Sequence, residues 1–288
     1  MQLTIGIVNW NTAEHLKKCL NSIFKSKTHF QYEVYIVDNN SSDNSFEIIS
    51  RYKKVKLIQN KENIGMAASL NQIIKATDSE YLLFLHPDTE ISEDTIEKML
   101  KFLNKYPLIG IAGPKLVYPN NKIFYSCHKF PTIINLIKDE IGLNGVYMRK
   151  ANHNKIQKVD IIASAAIFIR RSLFGEIGLL DERFTNWCAE WDFAYKAKEK
   201  GHARVYAPIT KVIHYEIMSD TNLEYKKHSY PIANIMLERL LLFYKKHYSW
   251  ISMMLLKKLT ILRLIIKSVI YPKRSRDYWK AIKFTIFC

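Results

Sequence analysis

A short apolar run from Tyr81 to Leu85, followed at once by His86, Pro87 and Asp88, is the feature that most constrains how this chain folds. Five consecutive apolar residues fit a strand that is buried on both faces, and they are too few for a typical helix. Because proline cannot donate to a neighbouring strand, the strand ends at Pro87 and leaves a carboxylate at its carboxyl end. Ligands of open α/β sheets bind at that edge. The pattern predicts an α/β fold with a ligand site beside Asp88, where a divalent cation could hold a phosphorylated ligand.

Three further apolar strands precede this run, at residues 3–8, 32–37 and 55–58, and helical patterns such as 66–76 separate them. This alternation predicts βαβ units and a parallel sheet. Each strand ends in polar residues, and the carboxyl ends of parallel strands share one edge. We therefore expect Asp38, Asn63 and Asp88 to lie near one crevice. Neither the GxGxxG nor the GxxxxGK[ST] fingerprint of nucleotide-binding loops is present.

The chain after Asp88 continues with a predicted helix at 93–105 and a strand at 109–117. Residues 120–158 are poorly patterned and predict an excursion that could cover the site. Residues 159–169 are typical of a strand with small residues in its middle, where a ligand or backbone can approach closely. A helix is predicted at 192–200 with Gly201 as its C-cap, and short strands at 205–208 and 211–214 end at His214.

The net charge of +16 is concentrated at the carboxyl end of the chain. Residues 239–288 contain 12 Lys and Arg and one acid, Asp277, so we divide the chain into a domain at 1–238 and a basic region at 239–288. The four cysteines are scattered without metal-ligand spacing. The amino-terminal sequence has no pattern of a signal peptide, which favours a cytoplasmic protein.

Apolar residues in the basic region recur every three or four positions from 248 to 269, which predicts one helical stripe. The stripe does not resemble a membrane span, which requires about 20 consecutive apolar residues. Four cations interrupt it: Lys257, Lys258, Arg263 and Lys267. Its composition favours a helix lying on an anionic membrane surface, at the inner face of the cell membrane. The alternative is a helical hairpin that packs on the domain at 1–238 or on a second subunit, giving a homo-oligomer. The apolar content argues against nucleic acid as a partner.

Seven segments, taken in order, carry a resemblance to a known family: IVNWN, VDNNSSDNS, NIGMAASLN, LLFLHPDTEI, AAIFIRRSLFGEIGLLDERF, AEWDFAYKAKEKG and VIH. Together they resemble the inverting glycosyltransferases of family 2, which have the GT-A nucleotide-sugar-binding fold. The PDT after the central strand is similar to the rhamnosyltransferase-type enzymes of bacterial polysaccharide assembly. The resemblance implies a mixed, largely parallel central sheet, followed here by the basic amphipathic helical region.

The resemblance also implies roles for individual residues. Asp38 would accept a hydrogen bond from the imide of uracil or thymine, and Asp88 with His214 would hold Mg²⁺ or Mn²⁺ at the diphosphate. Glu190 would act as the catalytic base, and Asp192 could hold or tune it. The remaining positions expected to bind the nucleotide are Asn9, Asn11, Asn63, Gly65 and Asn71.

Individual residues also admit structural interpretations. Asn63 and Asn71 could serve a turn or a helix surface, Asp192 could cap a helix, and His214 could be structural. His86 stands where the family usually has Asp or Asn, and by itself indicates no catalytic role. Ala189 precedes Glu190 where an acidic pair is common, which leaves Glu190 as the candidate base. The QxxRW sequence of processive synthases is absent, so we expect one sugar per binding event.

The predicted function is the metal-dependent transfer of a sugar from a UDP- or dTDP-sugar to a hydroxyl of a lipid-linked or growing bacterial surface glycan. A sugar nucleotidyltransferase is one alternative, although that class normally has a Gly-rich basic loop where this chain has IVNWN. A non-catalytic member that binds nucleotide or scaffolds a membrane complex is another. Donor hydrolysis that depends on Glu190 would separate an enzyme from a binding protein.

Overall fold

A computed structural model describes residues 1–141, 143, 145–146, 148, 151–185, 188–216 and 229–287. Part of the excursion predicted at 120–158 therefore lies outside the described residues. The strands are β1 (Leu3–Asn9), β2 (Tyr32–Asp38), β3 (Val55–Gln59), β4 (Tyr81–Leu85), β5 (Thr89–Ile91), β6 (Ile109–Val117), β7 (Cys127–His128), β8 (Gln157–Lys158), β9 (Ile161–Ile162), β10 (Ala166–Arg170) and β11 (Ala203–His214). The helices are α1 (Ala13–Phe24), α2 (Ser45–Ser50), α3 (Met66–Ala76), α4 (Thr95–Lys105), α5 (Ile133–Glu140), α6 (Ser172–Ile177), α7 (Ala189–Glu199), α8 (Ser229–His247), α9 (Trp250–Ile270) and α10 (Ser275–Phe287). A 3₁₀ turn, Pro272–Arg274, joins the last two.

The main sheet has the strand order β3-β2-β1-β4-β10-β6-β11-β5, with β8 paired to β11. Strands β1 to β4 are mutually parallel, and β10 is antiparallel to both β4 and β6. Because β10 is antiparallel to both of its neighbours, β6 points in the same direction as β1 to β4. Strand β11 is parallel to β6 and shares that direction. The predicted α/β fold with a mixed, largely parallel sheet is confirmed. The carboxyl ends of six strands consequently meet at one edge.

Two hydrophobic clusters cover the two faces of this sheet. Alternation along β4 explains the division, since Leu82 and Phe84 enter one cluster while Tyr81, Leu83 and Leu85 enter the other. Helices α1 and α4 pack on the second face, and helices α3, α6 and α7 pack on the first. All five residues of β4 are buried, as the uninterrupted apolar run predicts.

Three boundaries differ from those predicted from the sequence. The strand expected at 159–169 is broken into β9 and β10, because the small residues 163–165 turn the chain instead of extending it. The two strands expected between 205 and 214 form one strand, β11, with an irregularity between Tyr206 and Lys211. Helix α7 begins at Ala189, which places both acids of the AEWD sequence in its first turn.

The first of the C-terminal helices packs on the core of the amino-terminal domain. Helix α8 crosses the boundary drawn at 238/239, and its residues Leu241, Phe243 and Tyr244 are buried in the first cluster. The Tyr244 hydroxyl donates to the carbonyl of Pro131 at 2.5 Å. In contrast, Leu256 and Ser268 are the buried residues of helix α9. Within the described part of the chain, no helix combines the length and the apolar content that crossing a membrane requires.

Candidate active site

Strands β1 and β2 end side by side in a polar pair, Asn9 and Asp38. The Asn9 side-chain amide donates to Asp38 at 2.8 Å and to the Ser41 hydroxyl at 3.0 Å. Ser41 in turn donates to Asp38 through its hydroxyl at 2.6 Å and its backbone N–H at 3.0 Å. Asp38 and Asn9 are both buried. A buried carboxylate held by three donors has a fixed position, which suits recognition of a single N–H on a ligand.

Asn11 shapes the loop that follows β1. Its φ is +52°, a left-handed conformation that Asn adopts more readily than most residues. Its backbone N–H donates to the Ser41 hydroxyl at 3.0 Å, and its side-chain oxygen accepts from the Ser42 backbone N–H at 2.8 Å. The loops after β1 and β2 are therefore bonded to each other, and Asn11 joins the site by holding them together.

Asn63 and Gly65 shape the turn between β3 and helix α3. The Asn63 side chain accepts from the Gly65 backbone N–H at 3.0 Å and from Asn39 at 3.2 Å. Gly65 has a φ of +84°, and a Cβ there would lie 3.2 Å from Thr185. The Thr185 carbonyl accepts from the backbone N–H of Met66 at 2.9 Å. This turn thus holds the segment that leads to helix α7 against the edge of the sheet.

Asn71 lies deeper in the same helix and has different partners. Its side chain donates to the Leu180 carbonyl and to Glu182, both at 2.9 Å, and accepts from the Leu180 backbone N–H at 3.1 Å. These bonds use both amide protons and fasten helix α3 to the loop before α7. The structure therefore gives Asn71 a loop-fastening contact and does not join it to the Asn9–Asp38 network.

Beyond β4, the side chains of His86, Asp88 and His214 come together, with ligand atoms that all lie within 4.8 Å of one another. His214 ends β11 and its Nε2 lies 3.4 Å from Asp88 Oδ1. The pairing of β5 with β11 places Thr89 opposite His214, which explains how the two distant segments meet. Asp88 and His214 are buried. Two ligands of one ion, each at about 2.1 Å, lie at most about 4.2 Å apart, so small side-chain shifts would let these three share an ion.

The surroundings of the two histidines fit a metal. The Nδ1 of His214 is buried and has no hydrogen-bond partner among the described residues. A buried nitrogen without a partner is costly, and this favours a bound group such as a metal ion beside the ring. The Nε2 of His86 lies 3.2 Å from the Ser164 hydroxyl, a contact that orients the ring. The pKa of His86 is lowered to about 4, mainly by burial. The negative charge of Asp88 opposes this lowering, and His214 adds to it. A neutral imidazole is the form that binds metal.

Glu190 lies in the first turn of helix α7 and is partly buried. Burial raises its pKa to about 7 from an ordinary value of 4.5. Cys188, directly before the helix, has a φ of +68° and is buried, so the chain turns sharply into α7. A carboxylate with a pKa near neutrality can accept a proton from an alcohol during reaction and release it afterwards, which is the requirement for a general base.

Asp192, two residues further on, is turned toward the C-terminal helices. It is fully buried, and its Oδ1 lies 2.6 Å from His247 Nε2 and 2.7 Å from Lys246 Nζ. Burial raises the pKa of Asp192, but the bonds to His247 and Lys246 outweigh it and leave the pKa below the ordinary value. Lys246 also bonds Asp181 at 2.7 Å. Asp192 thus fastens the helix that carries Glu190 to the end of helix α8.

Three contributors to the site escape the sequence patterns. His86 joins Asp88 and His214 only because β4, β5 and β11 meet. Ser41 is one polar residue in a run of several, and nothing in the sequence singles it out as the partner of Asp38. Arg239 marks the start of the basic region in the sequence, yet its Nη2 donates to the Thr185 hydroxyl at 3.0 Å. The sequence does not signal this contact, because 54 residues separate Arg239 from Thr185.

Comparison with known proteins gives a consistent match. The sequence model of the family described as "Glycosyl transferase family 2" matches residues 4–178. The chain is 23% identical over 242 residues to the N-acetylglucosaminyl-diphospho-decaprenol L-rhamnosyltransferase of Mycobacterium tuberculosis, covering 75% of this chain and 77% of that protein. It is 24% identical over 223 residues to rhamnosyltransferase WbbL of Escherichia coli K12, covering 73% and 82% of the two chains.

Solved structures show the same fold. Residues 1–349 of Staphylococcus aureus TarS match with a TM-score of 0.51 at 18% identity, covering 87% of this chain and 72% of that one. The mannosyltransferase PcManGT from Pyrobaculum calidifontis, in complex with GDP-Man and Mn²⁺, matches with a TM-score of 0.57 at 15% identity, covering 99% and 85%. The GT-A fold implied by the sequence motifs is thereby confirmed.

Proposed function

Because the chain belongs to glycosyltransferase family 2 and is a glycosyltransferase, we propose that it transfers one sugar per binding event from a UDP- or dTDP-sugar to a hydroxyl of a lipid-linked or growing bacterial surface glycan. The observation that carries this proposal is the arrangement at one sheet edge: the bonded pair Asn9–Asp38 and the cluster His86–Asp88–His214 lie at or just after the carboxyl ends of strands β1, β2, β4 and β11. One arrangement suits a nucleobase and the other a diphosphate. The lipid-linked acceptor named for the mycobacterial relative supports the same acceptor class here.

The nucleobase binds at Asp38. Its carboxylate accepts the imide N–H of uracil or thymine, while Asn9 and Ser41 keep the carboxylate in place. A base that presents a lone pair there instead of an N–H would leave a buried charge unpaired, at a cost of about 1–3 kcal/mol. Asn11, Asn63 and Gly65 hold the loops around the nucleotide in their bound shape.

The diphosphate binds beside Asp88 and His214, where these two side chains and His86 would hold a divalent cation. Such a cation would supply positive charge to the departing diphosphate. Two imidazoles and one carboxylate favour Mn²⁺ over Mg²⁺, since Mg²⁺ prefers oxygen ligands and imidazole suits transition metals. Ser164 keeps the His86 ring oriented toward the cluster.

Glu190 activates the acceptor. In its ionised form it takes the proton from the acceptor hydroxyl as that oxygen bonds to the anomeric carbon and the bond to the nucleoside diphosphate breaks on the opposite face. This single displacement inverts the anomeric configuration. Asp192 is a positioning residue, because its bonds to His247 and Lys246 hold helix α7 in place.

The chain works at the inner face of the cell membrane, attached peripherally by its C-terminal helices. Six of the seven residues of the stripe predicted from the sequence are exposed on helix α9: Ile251, Leu255, Leu259, Leu262, Ile266 and Val269. The seventh, Tyr248, precedes the helix and packs against the first hydrophobic cluster. Lysine and arginine residues of α9 and α10 accompany them. Such a helix inserts its apolar face at the headgroup boundary while its cations bind anionic lipid.

Hydrolysis of the donor tests the proposal without knowledge of the acceptor. We expect the wild-type chain with Mn²⁺ to release UDP or dTDP from at least one sugar donor, and Glu190→Gln to lower the rate at least a hundredfold. Nucleotide binding by this variant, measured as the rise in Tm on adding the nucleotide, should equal that of the wild type. Equal, low hydrolysis by both proteins would contradict the role of Glu190.

A further inference from the structure

Exposed large hydrophobic side chains concentrate in two parts of the chain. Of the 24 such residues in the described structure, fourteen lie between Trp250 and Phe287, and four belong to helix α5 and the residues just after it. Those four are Ile134, Ile137, Ile141 and Leu143. Scattered exposed hydrophobic residues are normal, whereas a concentration of them marks a surface that binds something.

Helix α5 has two apolar sides, and among the described residues only one of them packs on the core. Ile133 and Leu136 pack against the first hydrophobic cluster. Ile134, Ile137 and Ile141 recur three and four positions apart on the adjoining side, and Ile134 is 66% exposed. Thr132 accepts from the backbone N–H of Asn135, so the helix begins at a defined position and its two sides are fixed.

Helix α5 contacts helix α9, and α9 contacts α10. Leu256 and Met253 of α9 pack on the same cluster as the inner side of α5. The three helices are therefore neighbours, and we call their exposed apolar side chains together the apolar face. It comprises Ile134 and Ile137 of α5 with Ile141 directly after it, the exposed stripe of α9, and Trp279, Ile286 and Phe287 of α10.

The helices that carry most of this face are rich in cations. Residues 250–287 contain nine Lys and Arg and a single acid, Asp277. Two copies of the chain placed face to face would bring eighteen cations together, which is unfavourable. An anionic bilayer instead offers hydrocarbon for the apolar residues and phosphate for the cations at the same time.

We propose that helix α5 is a second membrane-docking element, and that the apolar face of α5, α9 and α10 rests as one surface on an anionic lipid bilayer. The proposal builds on the peripheral attachment described above and adds an element of the catalytic domain to it. Because α5 belongs to the domain, its contact fixes the orientation of the domain on the membrane, which a tail alone would leave free.

Vesicle binding of the full chain tests this proposal. The probe is sedimentation with vesicles of phosphatidylglycerol and phosphatidylcholine in equal parts, and with phosphatidylcholine alone. The α5 variant is Ile134→Ser with Ile137→Ser and Ile141→Ser. We expect its partition onto the anionic vesicles to fall at least tenfold, and wild-type binding to fall further on phosphatidylcholine alone. The matched control, Leu108→Ser with Phe46→Ser, removes exposed apolar residues elsewhere, at 80% and 54% exposure, and should bind like the wild type.

The outcomes separate this inference from the proposed function. A tail variant, Leu255→Ser with Leu262→Ser, that loses vesicle binding while the α5 variant retains it would overturn the role of α5 and leave peripheral attachment standing. Donor hydrolysis by the α5 variant should equal that of the wild type, which also verifies its folding. A wild-type dimer in analytical ultracentrifugation that the α5 variant converts to monomer, with vesicle binding unchanged, would assign the face to a second copy and overturn the proposal.

Discussion

Replacement of Glu190 by Gln should stabilise the protein, and should do so increasingly as the pH rises. Burial raises the pKa of Glu190 from 4.5 to about 7, so ionising it in the folded protein costs about 3 kcal/mol more than in the unfolded chain. Glutamine is nearly isosteric and carries no charge at any pH. The variant therefore lacks this cost.

The sign of the effect follows from proton binding. Below pH 4.5 the carboxyl is protonated in both states and does not affect the stability difference between the proteins. Between 4.5 and about 7 the folded state retains the proton that the unfolded state has lost, so the stability of the wild type falls as pH rises. Above about pH 7 both states are ionised, and the stability of the wild type falls no further from this group. The difference between variant and wild type should grow by about 2 kcal/mol from pH 5 to pH 8.

Thermal unfolding followed by circular dichroism measures this difference. A change of about 2 kcal/mol in a chain of this size moves the Tm by on the order of 5 °C. Contributions of all other groups cancel when the two proteins are compared at each pH. A Tm difference that stays constant from pH 5 to pH 8 would show that the pKa of Glu190 is not raised toward neutrality. It would thereby refute the assignment of Glu190 as a base.

Three further predictions concern the other acids and the metal. Asp192→Ala leaves Lys246 and His247 without their buried partner, and should lower the free energy of unfolding by about 3 kcal/mol in urea titrations. A loss below about 0.5 kcal/mol would contradict the fastening role. Asp38→Ala should weaken UDP binding about tenfold or more in calorimetry while Mn²⁺ binding stays unchanged, and equal weakening of both would argue against a base-specific contact. His86→Asp should raise affinity for Mg²⁺ relative to Mn²⁺ in calorimetry without nucleotide, and an unchanged ratio would exclude His86 from the metal site.

Patterns along the sequence predict the strands and the edge of the site because they depend on local chemistry. The buried run Tyr81–Leu85 and the polar residues after each parallel strand determine where the sheet lies and where it opens to a ligand. Asp38 and Asp88 are placed at this edge in the same way, without knowledge of any contact. The stripe of helix α9 is equally local, since a period of three and four residues needs no tertiary structure.

Contacts between distant segments are beyond such patterns. His86 and Asp88 gain His214 as a partner because β5 pairs with β11, a pairing that the three residues of β5 do not signal. Asp192 stands two residues from Glu190 and suggests a shared role, yet its partners are Lys246 and His247 at the end of helix α8. Asn71 likewise bonds Leu180, a contact that the sequence does not signal. In each case the decisive partner lies 50 or more residues away.

A crystal structure of the chain with UDP and Mn²⁺, using the anomalous signal of manganese, tests the central claim most directly. We expect the manganese peak between Asp88, His214 and His86, the uracil N–H at Asp38, and the diphosphate between them, with Glu190 facing the same cleft. Manganese bound elsewhere, or uracil placed away from Asp38, would contradict the account.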